Sequence, residues 1–215
     1  MATRPAGSIG RQLVLSYGPT TALVVVDVQN DFADETGSLS VAGADAVVAR
    51  ANDEVMRATA AGAMVVYTQD WHPPSTPHFA KDGGVWPVHC VAGTWGAAFH
   101  PDLLVVGPSV RKGSNGEDGY SGFTMRDPVT REDRPTELGD LLRGHAVTDL
   151  VICGLATDYC VRATALDAMR LGFGTTVMTD AVAAVEVAPG DGARALGEMA
   201  AAGVRLEPAN AGPRA

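Results

Sequence analysis

Residues 22–26 read Ala-Leu-Val-Val-Val, an unbroken aliphatic run that ends on an acid, Asp27. A run without alternation of polar and apolar residues suits a strand covered on both faces, which is the situation of parallel strands inside an α/β fold. Comparable extended segments follow at 63–69, at 103–106 continued through 110–111 across Gly107-Pro108, at 148–153, at 175–178 and at 204–206. Between them lie helical patterns at 42–61 (closed by Gly62), 136–144, 158–171 and 193–202. Gly62 fits the position just past a helix end. Residues 70–101 form a long Pro/Gly/His loop, 112–122 a Gly-rich irregular stretch, and 127–135 a charged surface loop.

Strands that alternate with helices predict a three-layer αβα architecture around a mainly parallel six-stranded sheet. At 215 residues the chain has enough length to bury one large core. The expected organisation is a flexible arm over 1–19, one domain over 20–207 and a flexible tail over 208–215.

Composition narrows the partners. Apolar residues are 46% and charged residues 19%, ordinary for a globular enzyme, and the formal charge of −9 disfavours nucleic acid and anionic membranes as partners. No apolar run approaches a membrane span. The opening MATRPAGSIGRQ lacks the apolar core of a secretory signal. The three cysteines, Cys90, Cys153 and Cys160, are odd in number and not spaced as a disulfide framework, so a cytoplasmic location is expected.

In open α/β sheets ligands sit outside the carboxyl ends of the strands. Asp27, Asp70, Lys112 and the loop carrying Cys160 all fall at such ends. In Val151-Ile-Cys-Gly-Leu-Ala-Thr-Asp-Tyr-Cys160, the chain passes from a buried strand through Gly154 into a helix capped by Thr157 or Asp158. Cys160 then sits in the first turn, where the helix dipole favours a thiolate. A small apolar side chain packed under the helix is the other reading, and the one that Cys153 receives. Asp27 reads either as a turn residue or as a general base within reach of the thiol. Lys112 is either a solvated charge or the cation that keeps Asp27 ionised. Together the three would make acyl-transfer machinery.

Three of the five histidines, His72, His78 and His89, fall within 18 residues. Asp70 and His72 point to one side of an extended chain, so they can grip one ion with a histidine returning from the loop. Two imidazoles and a carboxylate suit zinc, iron or manganese. Histidines bonded to backbone in a polar loop are the alternative.

The motifs Val25-Val-Asp27-Val-Gln-Asn-Asp-Phe32, Thr68-Gln-Asp70-Trp-His72, Trp86-Pro-Val-His89-Cys90, Lys112-Gly113, Tyr120-Ser-Gly-Phe123 and Gly154-Leu-Ala-Thr-Asp-Tyr-Cys160-Val161 occur in that order. In them the chain resembles nicotinamidases of the isochorismatase-like cysteine hydrolase superfamily. It runs from about residue 21 to residue 185; the acidic loop 116–119 and the first 19 residues depart from it. The resemblance implies Asp27, Lys112 and Cys160 as a catalytic triad. It implies an oxyanion hole from the N–H groups of Ala156 and Cys160, with a cis peptide between Leu155 and Ala156. Phe32, Trp86 and Tyr120 match substrate-pocket aromatics. Asp70, His72 and His89 match ligands of one divalent metal, zinc before iron or manganese, and His78 matches an additional ligand of some members. The implied reaction is hydrolysis of nicotinamide to nicotinate and ammonia, a step of NAD salvage, with pyrazinamide also accepted and a homo-oligomer left open. Two rivals remain. One is a metal-independent amidase for N-carbamoyl or ureido compounds. The other is a silent binding homologue, which a filled triad counts against. Isochorismatases proper cleave a vinyl ether without a cysteine nucleophile, so Cys160 speaks against that activity as well.

Overall fold

A computed structural model describes residues 17–208. Of the expected arm over 1–19 and tail over 208–215, residues 1–16 and 209–215 lie outside the described residues; at the described end of the arm, Tyr17 donates a 2.7 Å hydrogen bond to the buried Glu54.

The strands are β1 (Thr21–Val26), β2 (Met64–Asp70), β3 (Ser109–Lys112), β4 (Thr124–Arg126), β5 (Asp133–Pro135), β6 (Asp149–Leu155), β7 (Gly174–Ala183) and β8 (Arg205–Glu207). The α-helices are α1 (Asn30–Ala33), α2 (Ala44–Ala60), α3 (Leu138–Gly144), α4 (Arg162–Arg170) and α5 (Asp191–Ala201). Six strands form one sheet in the order β3-β2-β1-β6-β7-β8, and every pairing in it is parallel.

The alternation along β1 explains the three layers. Leu23 and Val25 pack with Val47, Val48, Ala51 and Val55 of α2. Ala22, Val24 and Val26 pack on the other face with Leu138 and Leu142 of α3, Ala165 and Ala168 of α4, and Met199 of α5. Each side chain from Ala22 to Val26 is fully buried, as a doubly covered strand requires. Burying five such aliphatic side chains contributes roughly 1–3 kcal/mol apiece before ordering costs.

Register then brings the chemistry together. Val26 lies opposite Gly154, and Asp70 opposite Lys112, so four strand ends, those of β1, β6, β2 and β3, open on one crevice. Gly154 has φ 113°, and a Cβ there would meet the Val26 carbonyl oxygen at 2.1 Å. Only glycine lets β6 approach β1 this closely.

Two expected segments differ. Residues 103–106 are not strand: Leu103 donates its N–H back to the His100 carbonyl, Leu104, Val105 and Val106 are about half exposed, and the Tyr67 hydroxyl bonds the Leu104 carbonyl and the Val106 N–H in place of a ladder. Residues 127–135 are not simply a loop. Their end pairs back on β4 as an antiparallel ribbon, fastened by Arg126 and Asp133. Its charged sequence carries no strand periodicity, so pairing there comes from the turn and the cross-strand ion pair. No helix among the described residues is long and apolar enough to cross a membrane.

Candidate active site

Asp27 leaves β1 with φ 47°, in the left-handed region, which turns its carboxylate into the crevice rather than along the strand. Its Oδ1 accepts the Thr68 hydroxyl at 2.6 Å, and its Oδ2 lies 2.9 Å from Lys112 Nζ. Lys112 also bonds Asp70 Oδ1 and sits 3.6 Å from Cys160 Sγ. Both ion-pair partners are buried, Asp27 completely and Lys112 at 1% exposure. The solvated-charge reading of Lys112 is thereby excluded, as is a surface turn for Asp27. The two carboxylates and the sulfur lie within 4.8 Å of one another around the one ammonium.

These groups set each other's protonation. Burial alone would deprotonate Lys112, but Asp27 and Asp70 hold it protonated well above the usual lysine range. Burial would likewise raise Asp70, yet Lys112, His72 and His89 keep it ionised far below the usual carboxylate range. Asp27 goes the other way. Burial lifts it, Asp70 adds to the rise, and Lys112 only partly opposes. Cys160 is pushed well above a free thiol by burial, against the pull of Lys112 and with the push of both aspartates. The resting group is therefore a thiol, which corrects the thiolate expected from the helix dipole: full burial beside two carboxylates outweighs a partial charge at one helix end. A thiol facing a carboxylate of raised proton affinity is an acid poised beside its base.

The turn that carries Cys160 also differs from expectation. Thr157–Val161 is a π-helical turn, and α4 begins only at Arg162. Neither Thr157 nor Asp158 caps it. Asp158 instead accepts the N–H groups of Val185 and Glu186 at 3.0 and 2.9 Å, pinning another wall of the crevice. The Leu155–Ala156 peptide is cis, as the resemblance implied.

Beside the triad is a nitrogen-rich cluster. Nε2 of His72 and of His89 lie 3.8 and 3.9 Å from Asp70 Oδ2, and a ring nitrogen of His78 joins those of His72 and His89 within 4.8 Å. Donors bound about 2.1 Å from a common ion stand roughly 3–4 Å apart. Both ring nitrogens of His72 are buried without a hydrogen-bond partner, which is costly unless something else satisfies them. His89 Nδ1 donates to the Pro87 carbonyl at 2.7 Å, which frees Nε2 as an electron-pair donor. The residues fit a divalent cation. Gly113 (φ 81°) makes room for His72, whose Nδ1 would lie 2.6 Å from a Cβ at that position.

Burial pushes His89 down to about 4, over the opposing attraction of Asp70. Between pH 6.5 and 4 the unfolded chain therefore binds a proton that the folded metal-free chain refuses. Unfolding free energy is expected to fall across that window as pH drops, by about 3 kcal/mol from this group. Denaturant melts of metal-free wild type and His89→Gln at constant ionic strength check it. Equal pH slopes for the two proteins would refute the assignment.

A recess runs from Cys160 to the nitrogen-rich cluster, lined among others by Phe32, Asp70, His89, Trp86, Tyr120 and Cys160. The sequence reading missed Leu39, Tyr159 and Val185 as further wall residues. Tyr159 packs edge-on to Trp86 at 4.8 Å, and Trp86 Nε1 donates to the Tyr120 hydroxyl at 3.0 Å. Its place beside Cys160 was the available signal for Tyr159; nothing local marks Leu39 or Val185.

The doubly covered parallel sheet, with a buried Cys–Asp–Lys set at its strand ends, is the frame of a three-layer hydrolase of the α/β class. The Isochorismatase domain matches residues 21–209, and the chain belongs to that family. It is 39% identical over 206 residues to the nicotinamidase of Escherichia coli K12, covering 87% of this chain and 94% of that protein. The pyrazinamidase of Pyrococcus horikoshii in complex with zinc superposes with a TM-score of 0.79 at 39% identity, covering 88% of this chain and 99% of that one. PnC1 from L. infantum in complex with nicotinate superposes at 0.81 with 32% identity, covering 93% and 98%.

Proposed function

We propose that this chain hydrolyses nicotinamide to nicotinate and ammonia. The observation that carries the reading is one aromatic-walled recess lined both by Cys160, which adjoins the buried Asp27 and Lys112, and by Asp70, His78 and His89 of the neighbouring cluster. A flat ring with a carboxamide at one edge and a lone pair meta to it can meet both at once.

Cys160 Sγ attacks the carboxamide carbon while its proton passes to Asp27, and Lys112 steadies the carboxylate that receives it. The N–H groups of Ala156 and Cys160 stabilise the oxyanion. Asp27 returns the proton to nitrogen, the C–N bond breaks, and ammonia leaves a thioester. Water then gives a proton to Asp27 and attacks the thioester carbon. Collapse releases nicotinic acid, which gives up its proton to solvent as nicotinate, and the Asp27 proton returns to sulfur. Asp70, His72 and His89, with His78 as an added donor, would hold a divalent ion, zinc before iron or manganese, which supplies an electrophile for the ring nitrogen. Pyrazinamide presents the same edge and is an expected substrate. A step of NAD salvage in a reducing cytoplasm suits three unpaired cysteines.

Benzamide keeps the carboxamide and loses the ring nitrogen. In zinc-loaded enzyme its kcat/KM is expected to fall at least about 100-fold below that of nicotinamide, equivalent to about 3 kcal/mol. Chelation should bring nicotinamide down toward benzamide. Ammonia release measures both. Equal kcat/KM for the two amides would defeat the nicotinamide assignment and leave an unspecified amidase of the family.

A further inference from the structure

An imidazole offers a lone pair to a metal only when its other nitrogen is dealt with. The Pro87 carbonyl does this for His89. For His78 the partner is a side chain: Nδ1 lies 2.7 Å from Asp118 Oδ1. A carboxylate only accepts, so Nδ1 carries the hydrogen, and in the neutral ring Nε2 keeps its lone pair. The ring of His78 is buried and stacks on His72 at 4.9 Å between centroids, whereas the Asp118 side chain is 42% exposed. Asp118 thus reaches inward from the rim.

Asp118 is itself held by a two-way backbone bridge. Its N–H donates to the Arg126 carbonyl at 2.8 Å, and the Arg126 N–H returns to its carbonyl at 2.6 Å. The Gly119 N–H donates to the same Oδ1 at 2.8 Å. Arg126 ends β4, so the ribbon outside the main sheet braces the acid that grips His78. The acidic loop 116–119, which the triad and pocket leave without a task, acquires one.

We infer that Asp118 is a positioning residue that locks His78 as the Nδ1–H tautomer and so makes its Nε2 a fourth protein donor beside Asp70, His72 and His89. This rests on the metal reading of the proposed function. It adds which residue decides that His78 belongs to the set.

The test has two readouts besides activity. Long-range ¹H–¹⁵N NMR of metal-free protein reports the His78 tautomer directly, and chelator competition reports zinc affinity. Wild type should show Nδ1–H at His78. Asp118→Ala should lose that preference and bind zinc about 10- to 100-fold more weakly, the usual effect of losing such a partner. Asp118→Asn keeps an accepting oxygen and should recover most of both. If wild type binds zinc tightly and Asp118→Ala matches it within twofold with the tautomer unchanged, the positioning role is overturned and the metal site stands. A wild-type protein without zinc affinity would overturn the metal reading, and with it the donor role of His78.

Discussion

Cys160→Ala is expected to lower amide hydrolysis by about 10⁴-fold or more, the scale on which a nucleophile acting as one unit with its base is lost. The substitution removes one sulfur atom from the wall of the recess and leaves the β6 register with β1 untouched. The thermal midpoint should therefore stay within a few degrees of wild type. Ammonia release by a variant that retains a tenth of wild-type turnover would end the nucleophile assignment. Alkylation separates the three thiols independently. Cys90 and Cys153 are completely buried, and burial pushes both up, while Cys160 borders the recess. Iodoacetamide should label Cys160 first, faster as pH rises, because the resting group is a thiol that must lose its proton.

Lys112→Ala should be nearly as damaging to activity and far worse for stability. It leaves the Asp27 and Asp70 carboxylates facing each other in a buried site without their shared cation. Breaking a buried ion pair from one side typically costs about 3–5 kcal/mol. The sign for catalysis follows from the proton affinities. Asp27 is already raised, and Lys112 is the charge that holds it down. Without it Asp27 becomes protonated at higher pH and cannot take the Cys160 proton, so the acid limb of kcat/KM should move upward in pH. Should Lys112→Ala fold poorly, Asp27→Asn/Lys112→Ala supplies the control: with one carboxylate neutralised it should be more stable than the lysine variant alone. An unchanged melting midpoint in Lys112→Ala, with kcat/KM within tenfold, would show that the ammonium does not organise the site.

How much of this was legible beforehand varies by residue. The aliphatic run ending on Asp27 announced a doubly covered parallel strand, and Leu23 and Val24 bear that out on opposite faces. The spacing of Asp70 and His72 placed both on one side of a strand end. Local sequence was misleading where a group's partner lies far along the chain. Asp158 looked like a helix cap, yet its acceptors are used by Val185 and Glu186, 27 and 28 residues away. Residues 104–106 looked like strand until a tyrosine hydroxyl 37 residues upstream of Leu104 took their backbone bonds.

The sequence by itself determined the architecture, because hydrophobic periodicity and glycine placement are properties of short windows. It also marked which residue types gather at the strand ends. Only the tertiary structure decided their charge states. A lone Lys112 has no readable environment, and a cysteine near a helix start reads as a thiolate. Once β3, β2, β1 and β6 align, one buried ammonium stands among two carboxylates and a thiol. Desolvation and Coulomb coupling act through space over a few ångströms, so they are set by folded distances that no window of residues contains.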